Sequence, residues 1–308
     1  MHAAVVRSFA HPPRYETVDT PRATSADEVV VEVLAAGLHP RVRSSADGSH
    51  YTSTDELPLI PGIDGVGRTP TGELLYFVLP DTTQGSMAEQ TVVDRRRAVA
   101  LDPGTDPVTV AAAMNPAMSS WLALTQRIAM EPGSRVLVLG ATGNAGRMAI
   151  EVARHLGASH VTAAGRDEQR LRTLPADEAV TLEHVEQAAE VDVVLDYLWG
   201  EPALRTIRAL LTHREDRSRP LDWIQIGSVA GPDVALPSAA LRAANLRVMG
   251  SGQGSVSTKA ILQALPHLAA EISNGTFTVD PQPLPLEQVE TAWTAADTRR
   301  VVFTPRCW

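Results

Sequence analysis

The spacing of apolar residues changes along this chain. Over the first ~110 residues they come in short runs such as Glu28-Val-Val-Val-Glu-Val-Leu34, separated by turn-rich pieces: PRATSAD, LPLIPGIDGVG, TPTGE and LPDTTQG. Runs of this kind predict strands, and the density of Gly and Pro between them predicts a barrel or sandwich with long loops. The pattern switches near residue 107. A run of small residues from Pro107 to Met114 predicts one helix. The stretch 119–130, closed by Glu131-Pro132-Gly133, predicts another. Strands are then predicted at 135–140, 160–165, 191–196, 222–227 and 245–250. Helices are predicted between them at 145–155, 167–174, 202–211 and 237–244. Alternation of strands and helices predicts a parallel sheet covered on both faces. A last helix, 258–273, leads into the Pro-rich extended piece 279–286.

Length and charge narrow the function. The chain has 308 residues, enough for two domains. Its net charge of −9 disfavours a nucleic-acid partner, which demands a basic surface. The run Arg95-Arg96-Arg97 is too short to reverse that. No basic segment followed by an apolar stretch opens the chain, and no apolar run approaches the ~20 residues that span a bilayer. A cytoplasmic protein without a membrane partner is the expectation. The single cysteine, Cys307, excludes an intramolecular disulfide, a Cys-rich zinc site and an iron–sulfur cluster. The nine histidines show no metal-ligand spacing. Lys259 is the one lysine, so there is no phosphate-binding GKS or GKT loop. Ser255 stands where a Tyr-x-x-x-Lys pair would need its tyrosine.

One motif carries chemistry. Val136-Leu-Val-Leu-Gly-Ala-Thr-Gly-Asn-Ala-Gly-Arg-Met-Ala149 runs from a buried strand through Gly140, Gly143 and Gly146 into a helix. One glycine makes the tight turn, another admits backbone to a pyrophosphate, and the last lets helix and strand pack closely. The phosphates of a dinucleotide then meet N–H groups at a helix N-terminus. Gly140, Thr142, Gly143, Asn144, Ala145 and Gly146 are therefore candidate cofactor contacts. The end of the second strand selects the cofactor. NAD enzymes place Asp or Glu there for the ribose 2′-OH; this chain has Gly165 followed by Arg166. A guanidinium suits a 2′-phosphate, so NADPH is expected. Asp167 reads as a helix cap. Arg170 reads equally as a second phosphate contact or a solvated helix residue.

The chain resembles the medium-chain dehydrogenase/reductase superfamily, in particular its zinc-independent quinone oxidoreductase branch. Leu57-Pro-Leu-Ile-Pro-Gly-Ile-Asp-Gly-Val-Gly67 is similar to LPxIPGxExAG, and Gly85-Ser-Met-Ala-Glu-Gln-Thr-Val-Val93 to GxxAEYxVV. Ala117-Met-Ser-Ser-Trp-Leu-Ala-Leu124 matches the GLTAYxAL helix start, and Gly140 to Gly146 the GASGGVG-type loop. Val191–Asp196 and Val301–Pro305 match later strands. The resemblance implies an α/β fold: a Rossmann doubly wound parallel sheet inserted in a GroES-like β-rich catalytic domain. It would comprise catalytic residues 1–115, a Rossmann NADPH-binding domain 116–254 and a catalytic return 255–308. It implies a homodimer built on the last Rossmann strand, 245–250. Zinc-dependent relatives have Gly-His-Glu where this chain has Pro61-Gly-Ile-Asp64, so no zinc is expected.

The resemblance also implies hydride transfer from nicotinamide to a small apolar quinone or enone. His39, in Ala36-Gly-Leu-His-Pro40, takes the place of an Asn common in the branch; an imidazole there can donate to an oxyanion or to the cofactor amide. Tyr51 resembles a tyrosine at the substrate mouth. Ser119 matches the Thr of GLTAY, near the nicotinamide or ribose. Asn115, before Pro116, reads as a helix cap or a cofactor ligand. Gly227 and Ser228 end the fifth strand on the nicotinamide side, and Gly250, Ser251 and Gly252 let backbone approach the ring. Arg300 stands where the branch often has a Lys near the cofactor phosphate. Trp199 replaces a small residue and either narrows the substrate space or packs; Trp121 and Trp293 are expected in the core. Three readings follow: an NADPH-dependent quinone or enone reductase, an enoyl reductase acting on thioesters, and a non-catalytic NADPH-binding redox sensor. The unusual set His39, Arg41, Val42 and Arg43 keeps the last reading open.

Overall fold

The computed structural model describes residues 1–295 and 299–305; Cys307 lies outside them. The chain divides into two compact units, Met1–Asn115 with Leu265–Trp308, and Pro116–Ala264. The first boundary falls between Asn115 and Pro116. The second falls inside the helix Thr258–Ser273, beyond the expected return at 255.

The first unit is built on strands. β1 (His2–Val5) and β2 (Arg14–Thr17) form an antiparallel hairpin. β3 (Glu28–Gly37) is the long central strand, followed by helix α1 (Pro40–Ala46). β4 (Asp64–Arg68), β5 (Leu74–Val78), β6 (Gln90–Asp94) and β7 (Ala98–Leu101) follow. Helix α2 (Pro107–Leu122) closes this part of the chain. It is one helix, not two. Pro116 lies inside it, because the residues on both sides are small or apolar and buried enough to hold the helix across the missing N–H. Asn115 is therefore an interior helix residue rather than a cap. α2 widens at its end into a π-helical turn, Ala123–Arg127.

The second unit holds a six-stranded parallel sheet of β8 (Arg135–Leu139), β9 (His160–Gly165), β10 (Glu178–Thr181), β11 (Val193–Asp196), β12 (Leu221–Gln225) and β13 (Leu246–Gly250). Their spatial order is β10-β9-β8-β11-β12-β13. β8 and β11 are buried along nearly their whole length, as strands covered on both faces must be. The helices between strands are α3 (Asn144–His155), α4 (Glu168–Leu171), α5 (Gly200–His213) and α6 (Ser238–Ala243). α3 and α5 bury one apolar stripe each, with Met148, Ile150 and Val152 on α3 and Leu204, Ile207 and Leu211 on α5. Leu137, Leu139, Val194 and Trp223 form the heart of this core. α4 is shorter than the predicted 167–174. Trp121 is buried, stacked on His155, and Trp199 packs against this core.

Helix α7 (Thr258–Ser273) follows. The Pro-rich piece becomes β14 (Pro281–Pro285), a sheet-edge strand where proline is tolerated. Helix α8 (Val289–Thr294) and β15 (Arg300–Thr304) complete the first unit. Its larger sheet runs β14-β15-β3-β4-β5-β7, with β6 also paired to β3. Val31, Val33, Phe77, Met87 and Phe303 lie at its centre. Trp293, expected in the core, is only half-buried.

Candidate active site

Every candidate of the second unit follows the C-terminal end of a parallel strand, apart from Ser119 on α2. The strand order reverses between β8 and β11, the place where doubly wound sheets open a crevice for dinucleotides. Gly140 leaves β8 at φ +83, a backbone conformation that favours glycine. Gly146 is required for a different reason: a Cβ there would stand 2.3 Å from the Gly140 carbonyl oxygen and 2.7 Å from the Ala141 Cα. The turn closes through Gly143 N–H donating to Gly140 O at 3.1 Å. α3 then starts at Asn144 and Ala145 with no side-chain cap and no acidic residue in its first turn. Its leading N–H groups and dipole thus face outward uncompensated by the chain's own carboxylates.

β9 ends in Gly165, which packs against Leu171 and Thr142, and then in exposed Arg166. Asp167 is the cap of α4, its carboxylate accepting from Arg170 N–H at 3.1 Å. That fixes its role as a helix cap. The Arg170 guanidinium reaches back to the Thr142 carbonyl at 3.5 Å, so a second cation borders the glycine turn. Gly227 is held tightly under β11: a Cβ there would meet Tyr197 O at 2.9 Å. Ser228 beside it is exposed. Gly250 ends β13 and its carbonyl accepts from Arg127 at 2.8 Å. Ser251 N–H continues the ladder to Gln225 O, and Gly252 O closes a turn with Ser255 N–H.

Ser119 lies on α2, and its hydroxyl donates to Pro116 O at 2.8 Å and lies 3.0 Å from the Tyr197 hydroxyl. Tyr197 follows β11, and sequence reasoning missed it. Asp196 sets the turn that carries it: one carboxylate oxygen accepts from Leu198 and Trp199 N–H at 2.8 and 3.0 Å, the other from Trp223 Nε1 at 3.1 Å. Burial raises the Asp196 carboxyl above its ordinary value, against the pull of those donors. The same turn places Trp199 at φ 54, a left-handed conformation for a bulky residue.

His39, Tyr51 and Arg300 belong to the first unit. His39 is 1% exposed, and its Nε2 lies 3.1 Å from Asp64 Oδ1. Tyr76 hydroxyl donates to the other oxygen of Asp64 at 2.8 Å, and Ser86 hydroxyl to the Asp64 carbonyl. A carboxylate accepts, so His39 donates from Nε2, and in the neutral ring Nδ1 is then an acceptor. Burial holds His39 below its ordinary value, outweighing Asp64, and pushes the Tyr76 phenol well up. Nδ1 is buried without a hydrogen-bond partner. In the neutral ring with Nε2 protonated, Nδ1 offers a lone pair rather than a proton. Arg300 has a different setting from the one expected at a cofactor phosphate. It is 6% exposed, donates to Leu38 O at 3.2 Å, and burial lowers it to about 10. Tyr51 is 72% exposed and stacked on His50. The positions of Asp64 and Tyr76 beside His39 had no local sequence signal.

Comparison with known proteins decides the family. A probable NADPH-dependent quinone reductase of Emericella nidulans is 30% identical, covering 99% of this chain and 100% of its own. The chain belongs to the quinone oxidoreductase branch of the medium-chain dehydrogenase/reductase superfamily. An NADPH-dependent alkenal/one oxidoreductase of Arabidopsis thaliana is 29% identical over 55% of this chain and 50% of its own. Among solved structures, the quinone oxidoreductase of Thermus thermophilus, also determined with NADPH, superposes with TM-score 0.79 at 26% identity, covering 99% of this chain and 100% of that one. No family model matches the chain. Among the described residues no helix is long and apolar enough to cross a membrane. No group of three or more His, Cys, Asp or Glu among them is arranged to hold a metal.

Proposed function

We propose that this chain is an NADPH-dependent reductase that delivers hydride to a quinone or an α,β-unsaturated carbonyl without zinc, and that it works in the cytoplasm as a homodimer. One observation carries the cofactor assignment. Arg166, at the end of β9, has no ion pair among the described residues, while the neighbouring carboxylate of Asp167 is spent on a helix cap. The glycine turn suits a pyrophosphate because a Cβ at Gly143 would find its nearest neighbour 3.5 Å away and α3 begins there without a side-chain cap or an acidic residue in its first turn. The relatives named as NADPH-dependent support the same reading.

The chain's residues divide the work. The Gly140–Gly146 turn and the first turn of α3 hold the pyrophosphate. Arg166, with Arg170 behind it, pairs with the 2′-phosphate through charge-assisted hydrogen bonds. NADPH, when bound, supplies the hydride. Gly227, Ser228 and Gly250 to Gly252 leave room for backbone beside the nicotinamide, and Tyr51 serves the substrate side. Burial disfavours a charged His39 and its Nε2 faces Asp64, which supports water as the source of the proton that completes reduction. Turnover of NADPH with a panel of quinones and enones, before and after exhaustive dialysis against a chelator, tests this reading. Turnover unchanged by chelation is the expected result; loss restored by zinc overturns the metal-free assignment.

A further inference from the structure

The loop that follows β13 has little packing of its own. Gly250-Ser-Gly-Gln-Gly-Ser255 carries three glycines. Gly254 sits at φ +99 with open space where a Cβ would be, and a Cβ on Gly250 would come no closer than 3.8 Å to the Gln225 side chain. Glycine loses more conformational freedom on ordering than any other residue, so the hydrogen bonds that tie such a loop decide how well it is ordered. Inside the loop, the Ser255 hydroxyl accepts from Gly252 N–H at 2.8 Å and donates to Gly252 O at 2.9 Å. A second tie comes from α2. Arg127 donates from Nε to Gly250 O at 2.8 Å and from Nη1 to Ser255 O at 3.0 Å. One guanidinium thus spans both ends of the loop.

Arg127 reaches that position because α2 changes its winding. The π-helical turn Ala123–Arg127 inserts one residue, with Ile128 N–H donating to Ala123 O at 3.2 Å. An α-helix advances about 100° per residue, so the extra residue turns the Arg127 side chain by about that angle from the face it would otherwise leave. Turns of this kind are rare and concentrate at functional sites. The loop's place in the sheet gives the function. It follows the carboxyl end of a parallel strand, the edge on which a doubly wound sheet binds its ligand. β13 is three strands from β8, on the side away from β9, about 14 Å at the usual strand spacing. A cofactor with its adenosine at β9 and its pyrophosphate at β8 sends its other half toward this loop. Resting on the NADPH reading above, we infer that Arg127 is a positioning residue that orders Gly250–Ser255 before the cofactor arrives. The nicotinamide-riboside half then meets a preformed backbone wall, and binding does not have to order it.

Calorimetry and amide hydrogen exchange on the full chain test this. Arg127→Ala should weaken NADP⁺ binding by about five- to thirty-fold, the cost of ordering one residue's backbone. Adenosine 2′,5′-bisphosphate, which has the adenosine and the 2′-phosphate but no nicotinamide, should bind the variant and the unaltered chain equally. Without cofactor, amide exchange in the variant should speed up at residues 251–255 and stay unchanged in β8 and α3. Arg127→Lys, which keeps the charge but loses the fork, gives the same contrast if Arg127→Ala does not fold. Equal losses for NADP⁺ and the bisphosphate, NADP⁺ affinity unchanged in a folded variant, or unchanged exchange in the loop overturn the inference. If the unaltered chain binds NAD⁺ in preference to NADP⁺, the NADPH reading fails, and the same contrast between NAD⁺ and AMP still decides the role of Arg127.

Discussion

NADPH differs from NADH by one phosphate, and in the proposed function its reading falls to the exposed guanidinium of Arg166 at the end of β9. Arg166→Ala should weaken NADPH binding by about 1.5–3 kcal/mol, as for a lost hydrogen bond to a charged group, and leave NADH binding nearly unchanged. Fluorescence titration with both cofactors measures this; equal losses refute the assignment. His39 makes a second prediction at this scale. It is buried among Asp64, Arg300 and Arg41, and burial keeps its folded-state value below 6.5. Below that pH the unfolded chain binds a proton that the folded chain resists binding, so stability declines as pH falls under 6.5. Above it this group contributes no slope. Thermal melts between about pH 7.5 and 5 should show a shallower decline for His39→Asn than for the unaltered chain. Parallel curves would mean that folding leaves the proton affinity of His39 unchanged, and a steeper decline for His39→Asn that the fold holds it charged; either would contradict this account.

At the scale of elements, the turn between β8 and α3 depends on Gly146 and Gly143 for different reasons. Gly146→Ala forces a Cβ to 2.3 Å from backbone oxygen and should destabilise the protein by about 1–3 kcal/mol, as overpacking does. At Gly143 the nearest atom to a new Cβ is 3.5 Å away and the backbone is extended. Gly143→Ala should therefore fold normally, with a melting temperature near that of the parent. Identical melting losses for the two would contradict this account of the turn. These glycines were legible in the sequence because one strand–turn–helix segment contains the whole signal. β8, β9 and β11 to β13 were legible too, as apolar runs at regular intervals. β10 was not: Glu178–Thr181 is four residues long at a sheet edge, with one fully buried side chain, and such a strand is fixed by its neighbour β9. The continuity of α2 through Pro116 was hidden for a similar reason, since packing overrode the local breaker. Ser119 and Tyr197 are 78 residues apart, and His39 and Asp64 are 25 apart. No local pattern pairs them; only the fold does.

At the scale of the whole molecule, β13 is an edge strand of the parallel sheet, and an uncovered edge invites pairing with a second copy. Sedimentation velocity should give twice the mass of the 32.9 kDa chain; a monomer at working concentration would remove the dimer from the proposal. The central claim concerns chemistry, and initial rates test it most directly. The full chain, with a quinone as acceptor, is given NADPH or NADH at equal concentration, and loss of the reduced nicotinamide is followed. The account predicts rapid oxidation of NADPH and much slower oxidation of NADH, with the preference abolished in Arg166→Ala. Equal or faster oxidation of NADH, or tight NADPH binding with no turnover by any quinone or enone, would contradict it.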